Sequence, residues 1–293
     1  MTNTTQHDTI LVTGATGNVG RQVTIQLAEA GLPVRAMTRR PESASMPEGV
    51  EVVRGDLADV AGLDAVLTGA AAVFLMWPFH DADLASEIIG AIARHARRVV
   101  LLSSGAVHDH LTPEQHENAV GRSHAVVERL VEASASEWTI LRPSTFAANT
   151  LWWAPQIRAG DVVRGAFGAV PMVPVHEKDM AEVAVRALTE DGHHGEKYPL
   201  TGPQVLTQAE QVSVIGQALG RPVRWLELSR EQERERLLSD ASFPSSFVDV
   251  LLDGYAGMLD RPRPVVTATV EKLTGHPART LLDWATDHAS DFR

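Results

Sequence analysis

The chain has 293 residues, with 26 Lys and Arg against 37 Asp and Glu, for a formal net charge of −11. This length holds one large or two modest domains; 44% hydrophobic and 22% charged residues exclude a disordered chain, and the acidic balance argues against a dedicated nucleic-acid binder, whose phosphate contacts need a basic surface. There is no cysteine, which excludes disulfides, thiolate catalysis, cysteine zinc sites and iron–sulfur clusters.

Met1–Thr9 lacks a basic stretch followed by an apolar one, so no secretory leader is expected. No apolar run approaches the ~20 residues that cross a bilayer. The expectation is a cytoplasmic protein without membrane contact. The first half alternates short β-rich runs with helical patterns. Strands are expected at Ile10–Thr13, Val34–Met37, Val50–Val53, Ala72–Leu75, Val99–Leu102 and Thr139–Leu141, and helices at Val19–Ala30, Leu63–Leu67, Leu84–His95 and Ala119–Ala133. The first, fourth and fifth strands are nearly continuous apolar runs, the mark of strands covered on both faces. Gly31 fits a left-handed helix end. The alternation implies a parallel sheet with right-handed crossovers, an α/β doubly wound fold.

The pattern changes near Asn149. Trp152 and Trp153 precede a stretch rich in Gly, Val and Pro that runs to Pro174. A helix is expected from about Lys178 to Thr189 and a short strand at Tyr198–Leu200. Thr207 with Glu210, and Ser229 with Gln232, have the spacing of capping boxes, and Gly220 and Pro222 close the first of those helices. The last third is expected to be mostly helical.

The strongest motif is Thr13-Gly14-Ala15-Thr16-Gly17-Asn18-Val19-Gly20-Arg21, between a strand and a helix. Gly14 allows the tight turn, Gly17 lets backbone N–H groups approach a pyrophosphate, and Gly20 lets the helix pack on the sheet. Cofactor choice is read about 20 residues further on. There the segment is Met37-Thr38-Arg39-Arg40-Pro41. Two guanidinium groups suit a 2′-phosphate, so NADP(H) is expected over NAD(H), with Glu42 keeping the other option open. Asp56-Leu57 either borders the adenine or, through Asp56, caps the following helix.

These residues resemble the NmrA-like branch of the atypical short-chain dehydrogenase/reductase superfamily, a group of Rossmann-fold NAD(P)-binding proteins. The likeness also rests on VEVVRGDL at Val50–Leu57, LLSSGAV at Leu101–Val107, WTILRPSTFAAN at Trp138–Asn149, YPLTGP at Tyr198–Pro203 and TGHPARTLLDW at Thr274–Trp284, and so covers nearly the whole chain. It implies a nicotinamide cofactor across the strand C-terminal ends. Gly14, Thr16, Gly17, Asn18, Val19 and Gly20 would hold the pyrophosphate and Arg39 and Arg40 the adenosine end. Leu75, Met76 and Trp77 would pass the ribose, and Ser103, Ser104, Pro143 and Phe146 would surround the nicotinamide. It also implies a dinucleotide domain of 1–150 plus 176–203 and a smaller, mostly helical substrate domain of 151–175 plus 204–293.

Ordinary members of the superfamily use a Tyr-x-x-x-Lys pair on the helix after the fifth strand. Here Tyr198 is followed four residues later by Gly202 and Tyr255 by Leu259, and that helix carries Arg122-Ser123-His124 and Glu128 instead. Two readings follow. One is an NADPH-dependent reductase of a conjugated carbonyl or quinone, which delocalises the developing charge and asks less of an acid; its donor candidates are Ser103, Ser104 and His124. The other is a cofactor sensor that reports redox state to a partner. Asn149, Trp152 and Trp153 are candidates for the flat substrate, the two tryptophans with packing between domains as the alternative. His108, Asp109, His110, His116 and His124 crowd one stretch but match no zinc spacing, and Thr112-Pro113-Glu114-Gln115 within it reads as a helix start, so a polar loop is expected. Asp179 reads as a first-turn helix carboxylate, and Arg230–Arg236 as a solvated helix face.

Overall fold

The computed structural model describes residues 9–116, 118–240 and 245–293, with the side chains of 246 and 247 left aside; Met1–Asp8, on which the expectation about a leader rests, lie outside them. In chain order the elements are β1 (Thr9–Val12), α1 (Asn18–Glu29), β2 (Val34–Thr38), β3 (Glu51–Arg54), α2 (Val60–Leu67), β4 (Ala70–Met76), α3 (Ala85–His95), β5 (Arg98–Leu102), α4 (Ala119–Ser134) and β6 (Glu137–Pro143). There follow α5 (Ala154–Ala159), β7 (Val162–Gly165), β8 (Pro171–Met172), α6 (Glu177–Thr189), β9 (Glu196–Leu200), β10 (Leu206–Thr207), α7 (Gln208–Ala218), β11 (Arg224–Glu227), α8 (Arg230–Ser239), α9 (Ser245–Leu259), α10 (Thr269–Thr274) and α11 (Leu281–Asp287).

The chain forms two compact units. The first comprises residues up to Pro143, Glu177–Leu200 and Thr269–His276; the second comprises Ser144–His176, Thr201–Ala268 and Pro277–Arg293. The observed division therefore passes between Pro143 and Ser144 and assigns α10 to the first unit, which differs from the expected boundary at 150. The reason is local: Ala147 and Ala148 pack into the apolar cluster of the second unit, with Ile157 and Trp284.

The first unit is a seven-stranded parallel sheet in the order β3-β2-β1-β4-β5-β6-β9. Its order reverses between β1 and β4, so a crevice opens at their carboxyl ends, where ligands of open α/β sheets bind. Val73, Leu75, Val99, Leu101 and Ile140 point to one face and pack with Ile88, Ile92, Val127 and Val131 from α3 and α4. α1 and α6 pack together, tied by a bond from Gln26 Nε2 to the Lys178 carbonyl at 3.1 Å. Gly31 ends α1 at φ +73°.

In the second unit the run before Pro174 is not a bare connection. β7 pairs in parallel with β11, and β8 antiparallel with β10. These strands span two to four residues, too short for a period-2 pattern to stand out. Both expected capping boxes form, Thr207 with Glu210 and Ser229 with Gln232. Among the described residues no helix is long and apolar enough to cross a membrane.

Candidate active site

The glycine turn is built as its spacing requires. Gly14 sits at φ +60°, and a Cβ there would lie 2.6 Å from Met76 Cε. A Cβ on Gly20 would collide with the Gly14 carbonyl, so Gly20 allows α1 to approach the strand. Thr13, which sequence reasoning passed over, stitches the β1 and β4 ends together. Its hydroxyl donates to the Phe74 carbonyl at 3.1 Å and accepts from the Met76 N–H at 2.8 Å.

Thr16, Gly17 and Asn18 are exposed, while Val19 and Gly20 are buried. Gly17 is the N-cap of α1, which has no side-chain cap and no acidic residue in its first turn. Its leading N–H groups therefore have no side-chain cap or first-turn anion, and the helix dipole favours an anion there. These residues fit a pyrophosphate, so the cradle suits a dinucleotide.

Arg39 and Arg40 are exposed at the carboxyl end of β2. Their guanidinium groups make no ion pair or hydrogen bond among the described residues. Asp56 does not cap α2. It accepts from the Ala58 N–H at 3.0 Å in a local turn, whereas Asp59 is the cap, accepting from Gly62 N–H. The short Asx turn pushes the helix start three residues on. Leu57, Leu75 and Trp77 are core side chains with at most 5% exposure, so what they offer a ligand is backbone. Met76 is half-buried beside Gly14.

The three donor candidates differ in where their protons go. Ser103, 4% exposed, follows β5 on the face of Val99 and Leu101 and donates to Glu128 Oε1 at 2.5 Å. Glu128, 2% exposed on α4, accepts from Arg142 on β6 at 3.0 and 2.6 Å. Arg142 also holds Asp109 at 2.7 and 3.1 Å, and Lys197 on β9 reaches Asp109 and Glu132. Glu128 and Arg142 were missed as a pair. The available signals were an acid on the apolar face of α4 and an arginine inside an apolar strand, since buried charges come paired.

The His124 ring shares its Nδ1 with the Val120 carbonyl at 2.9 Å. Because a carbonyl only accepts, Nδ1 carries the proton, and in the neutral ring Nε2 is an acceptor. Burial pushes the pKa of His124 down from its ordinary value, against the opposing pull of the Val120 carbonyl and Glu128. Ser104 is half-buried, and its oxygen accepts from the Ala106 N–H at 3.2 Å. Its own proton has no acceptor among the described residues. The N–H groups of Ser103 and Gly105 are both tied to β6, at the Leu141 and Pro143 carbonyls, each at 2.8 Å. With Ser103 turned toward α4, strand alternation turns Ser104 to the opposite face.

A family model described as NAD(P)H-binding matches residues 14–191. The chain belongs to this NAD(P)H-binding family. It is an NmrA-like, atypical short-chain dehydrogenase/reductase and an NAD(P)H-dependent oxidoreductase. It is 42% identical, over 97% of its length and 99% of the relative's, to (4-alkanoyl-5-oxo-2,5-dihydrofuran-3-yl)methyl phosphate reductase of Streptomyces griseus. It is 33% identical to the NAD(P)H azoreductase of Xenophilus azovorans, over 97% and 99% of the two chains. The NADPH complex of an Escherichia coli NADPH-dependent quinone oxidoreductase superposes with a TM-score of 0.78 at 25% identity, covering 96% of this chain and 99% of the other.

The remaining candidates lie in the second unit, apart from Pro143, which is buried at the end of β6. Phe146 is half-buried and bridges Val175. Asn149 is exposed and Trp152 is 40% exposed. Trp153 stands edge-on to Trp225 at 5.8 Å within the unit's own cluster. The histidine-rich stretch is internally bonded: His116 accepts from the His108 N–H at 3.1 Å and bonds the Thr112 carbonyl at 2.9 Å.

Proposed function

We propose that this oxidoreductase reduces a conjugated carbonyl or quinone-type small molecule, with NADPH preferred over NADH and with Ser104 as the hydrogen-bond donor to the acceptor oxygen. The observation that carries the reading is the division of protons among the three candidates. Ser103 gives its proton to a buried carboxylate and His124 to a carbonyl, which leaves Ser104. Bound NADPH supplies the hydride. Ser104, whose backbone neighbours are fixed to β6, needs no reorganisation to meet a developing negative charge, and fixed donors of this kind stabilise it best. A serine hydroxyl is a weak acid, which is enough where conjugation spreads the charge. The substrate named for the Streptomyces relative is a carbonyl conjugated with a ring double bond, and a quinone shares that feature.

The exposed, unpaired Arg39 and Arg40 support the cofactor preference, because each charge-assisted bond to a phosphate contributes about 1.5–3 kcal/mol. The test is NADPH consumption against a panel of quinones, butenolides and saturated ketones, alongside calorimetry with NADPH and NADH. Turnover confined to saturated ketones, or equal affinity for the two cofactors, overturns the corresponding half of the reading.

A further inference from the structure

We propose that Arg54 is a third guanidinium of the adenosine 2′-phosphate site, and that its ion pair with Glu42 sets the preference between NADPH and NADH. The inference rests on the reading of Arg39 and Arg40 given above and adds a residue from a different strand.

Arg54 is the last residue of β3, and the parallel register places it beside Thr38, the last residue of β2. The Gly55 N–H bonds the Thr38 carbonyl at 3.0 Å, so the two strand ends leave the sheet together. From there Arg54 Nη1 donates to the Arg39 carbonyl at 2.8 Å, and Nη2 donates to Glu42 Oε2 at 2.9 Å. One side chain thus holds both the backbone of the basic turn and the acid that follows it. In a chain with 37 acids against 26 bases, several arginines of this unit are ion-paired, among them Arg35 with Glu51, Arg94 with Asp64 and Arg98 with Glu137. Arg39 and Arg40 are adjacent, exposed and without such a partner. Among the described residues, the carboxylate ion-paired with Arg54 is that of Glu42.

The chemistry of the two cofactors then separates. A ribose 2′-hydroxyl is a donor that a carboxylate can receive, and Glu42 is the acid in place to do so. A 2′-phosphate is an anion that Glu42 repels and a guanidinium fork receives. The side chains of Arg54 and Glu42 are 68% and 64% exposed. A pair so open to water holds weakly, and a phosphate can take over the fork. Arg54 therefore acts in turn: it keeps Glu42 occupied until a 2′-phosphate arrives, and then turns its donors to the phosphate.

The test is calorimetric titration of NADPH and NADH, at one low ionic strength, into wild type, the Arg39→Ala/Arg40→Ala double variant, Arg54→Ala, Glu42→Gln and Arg54→Ala/Glu42→Gln, each with a thermal melt. Arg54→Ala is expected to weaken NADPH about tenfold or more and to leave NADH unchanged or tighter. Adding Glu42→Gln is expected to recover part of the NADPH affinity, and Glu42→Gln alone is expected to tighten NADPH without tightening NADH. If wild type binds both cofactors equally, the reading of the basic turn fails and the inference with it. If the double arginine variant loses a preference that Arg54→Ala retains, that reading stands and this inference is overturned. Should Arg54→Ala melt early, Glu42→Gln decides: unchanged or weaker NADPH binding overturns the proposal.

Discussion

Ser103 donates its hydroxyl proton to Glu128 across 2.5 Å, joining the end of β5 to the buried face of α4. Glu128 lies four residues beyond His124, the spacing of the Tyr-x-x-x-Lys pair in ordinary relatives, but it faces the core and Arg142.

Glu128→Gln should therefore act first on stability. Glu128 and Arg142 side chains are 2% and 11% exposed, and breaking a buried pair by removing one partner costs about 3–5 kcal/mol. Denaturant unfolding checks this. A loss no larger than that of a surface pair, about 0–1 kcal/mol, would contradict the network.

Asp109 supplies a pH signature. Hydrogen bonds from Arg142 and then Lys197 hold its carboxyl well below the usual carboxylate range, against burial. Because the folded pKa is depressed, the contribution to stability is fully present above the unfolded value near ~3.9 and disappears as pH falls through the folded value. Asp109→Asn should lose stability at neutral pH, and its gap to wild type should narrow on acidification. Parallel acid unfolding curves for variant and wild type would count against this.

The glycine turn separates folding from binding. Gly17 has φ −83°, ordinary for any residue, and its Cβ would approach only the Gly14 carbonyl, at 3.3 Å. Gly17→Val should fold and lose the dinucleotide, because the side chain fills the space in front of the helix N–H groups. Gly20→Val should instead lower the melting temperature, since its Cβ collides with backbone. Calorimetry with NADPH and thermal melts decide between these outcomes, and wild-type affinity in Gly17→Val would refute the turn's role.

Much of the first unit was legible because its signals are local. Apolar runs marked β1, β4 and β5, and Asn118 caps α4 where the pattern begins, accepting from Gly121 N–H at 2.7 Å. The glycine spacing gave the turn its place between β1 and α1. What was not legible depends on contacts distant in sequence. Ser103 and Glu128 are 25 residues apart, and Arg54 and Glu42 are 12 apart. β7 and β11 find each other only through the tertiary fold. Asp56 and Asp59 offer the same chemistry three residues apart, and only the observed turn assigns the cap to Asp59.

His124 provides a control on the proton. Burial lowers its pKa, and its bond to the Val120 carbonyl makes Nε2 an acceptor in the neutral ring. The turnover rate should stay flat between about pH 6 and 8, where an ordinary histidine titrates, and His124→Ala should leave that profile unchanged. A rate that falls with rising pH in wild type and not in His124→Ala would make His124 the acid.

The most direct measurement is the rate of NADPH consumption by wild type and Ser104→Ala with a quinone and with a saturated ketone, under saturating cofactor. The expected result is faster reduction of the quinone by wild type and a fall of about 10²–10³ in kcat for Ser104→Ala, as for loss of an oxyanion donor, with NADPH affinity unchanged. Wild-type kcat in Ser104→Ala, or equal rates with quinone and saturated ketone, would contradict the account.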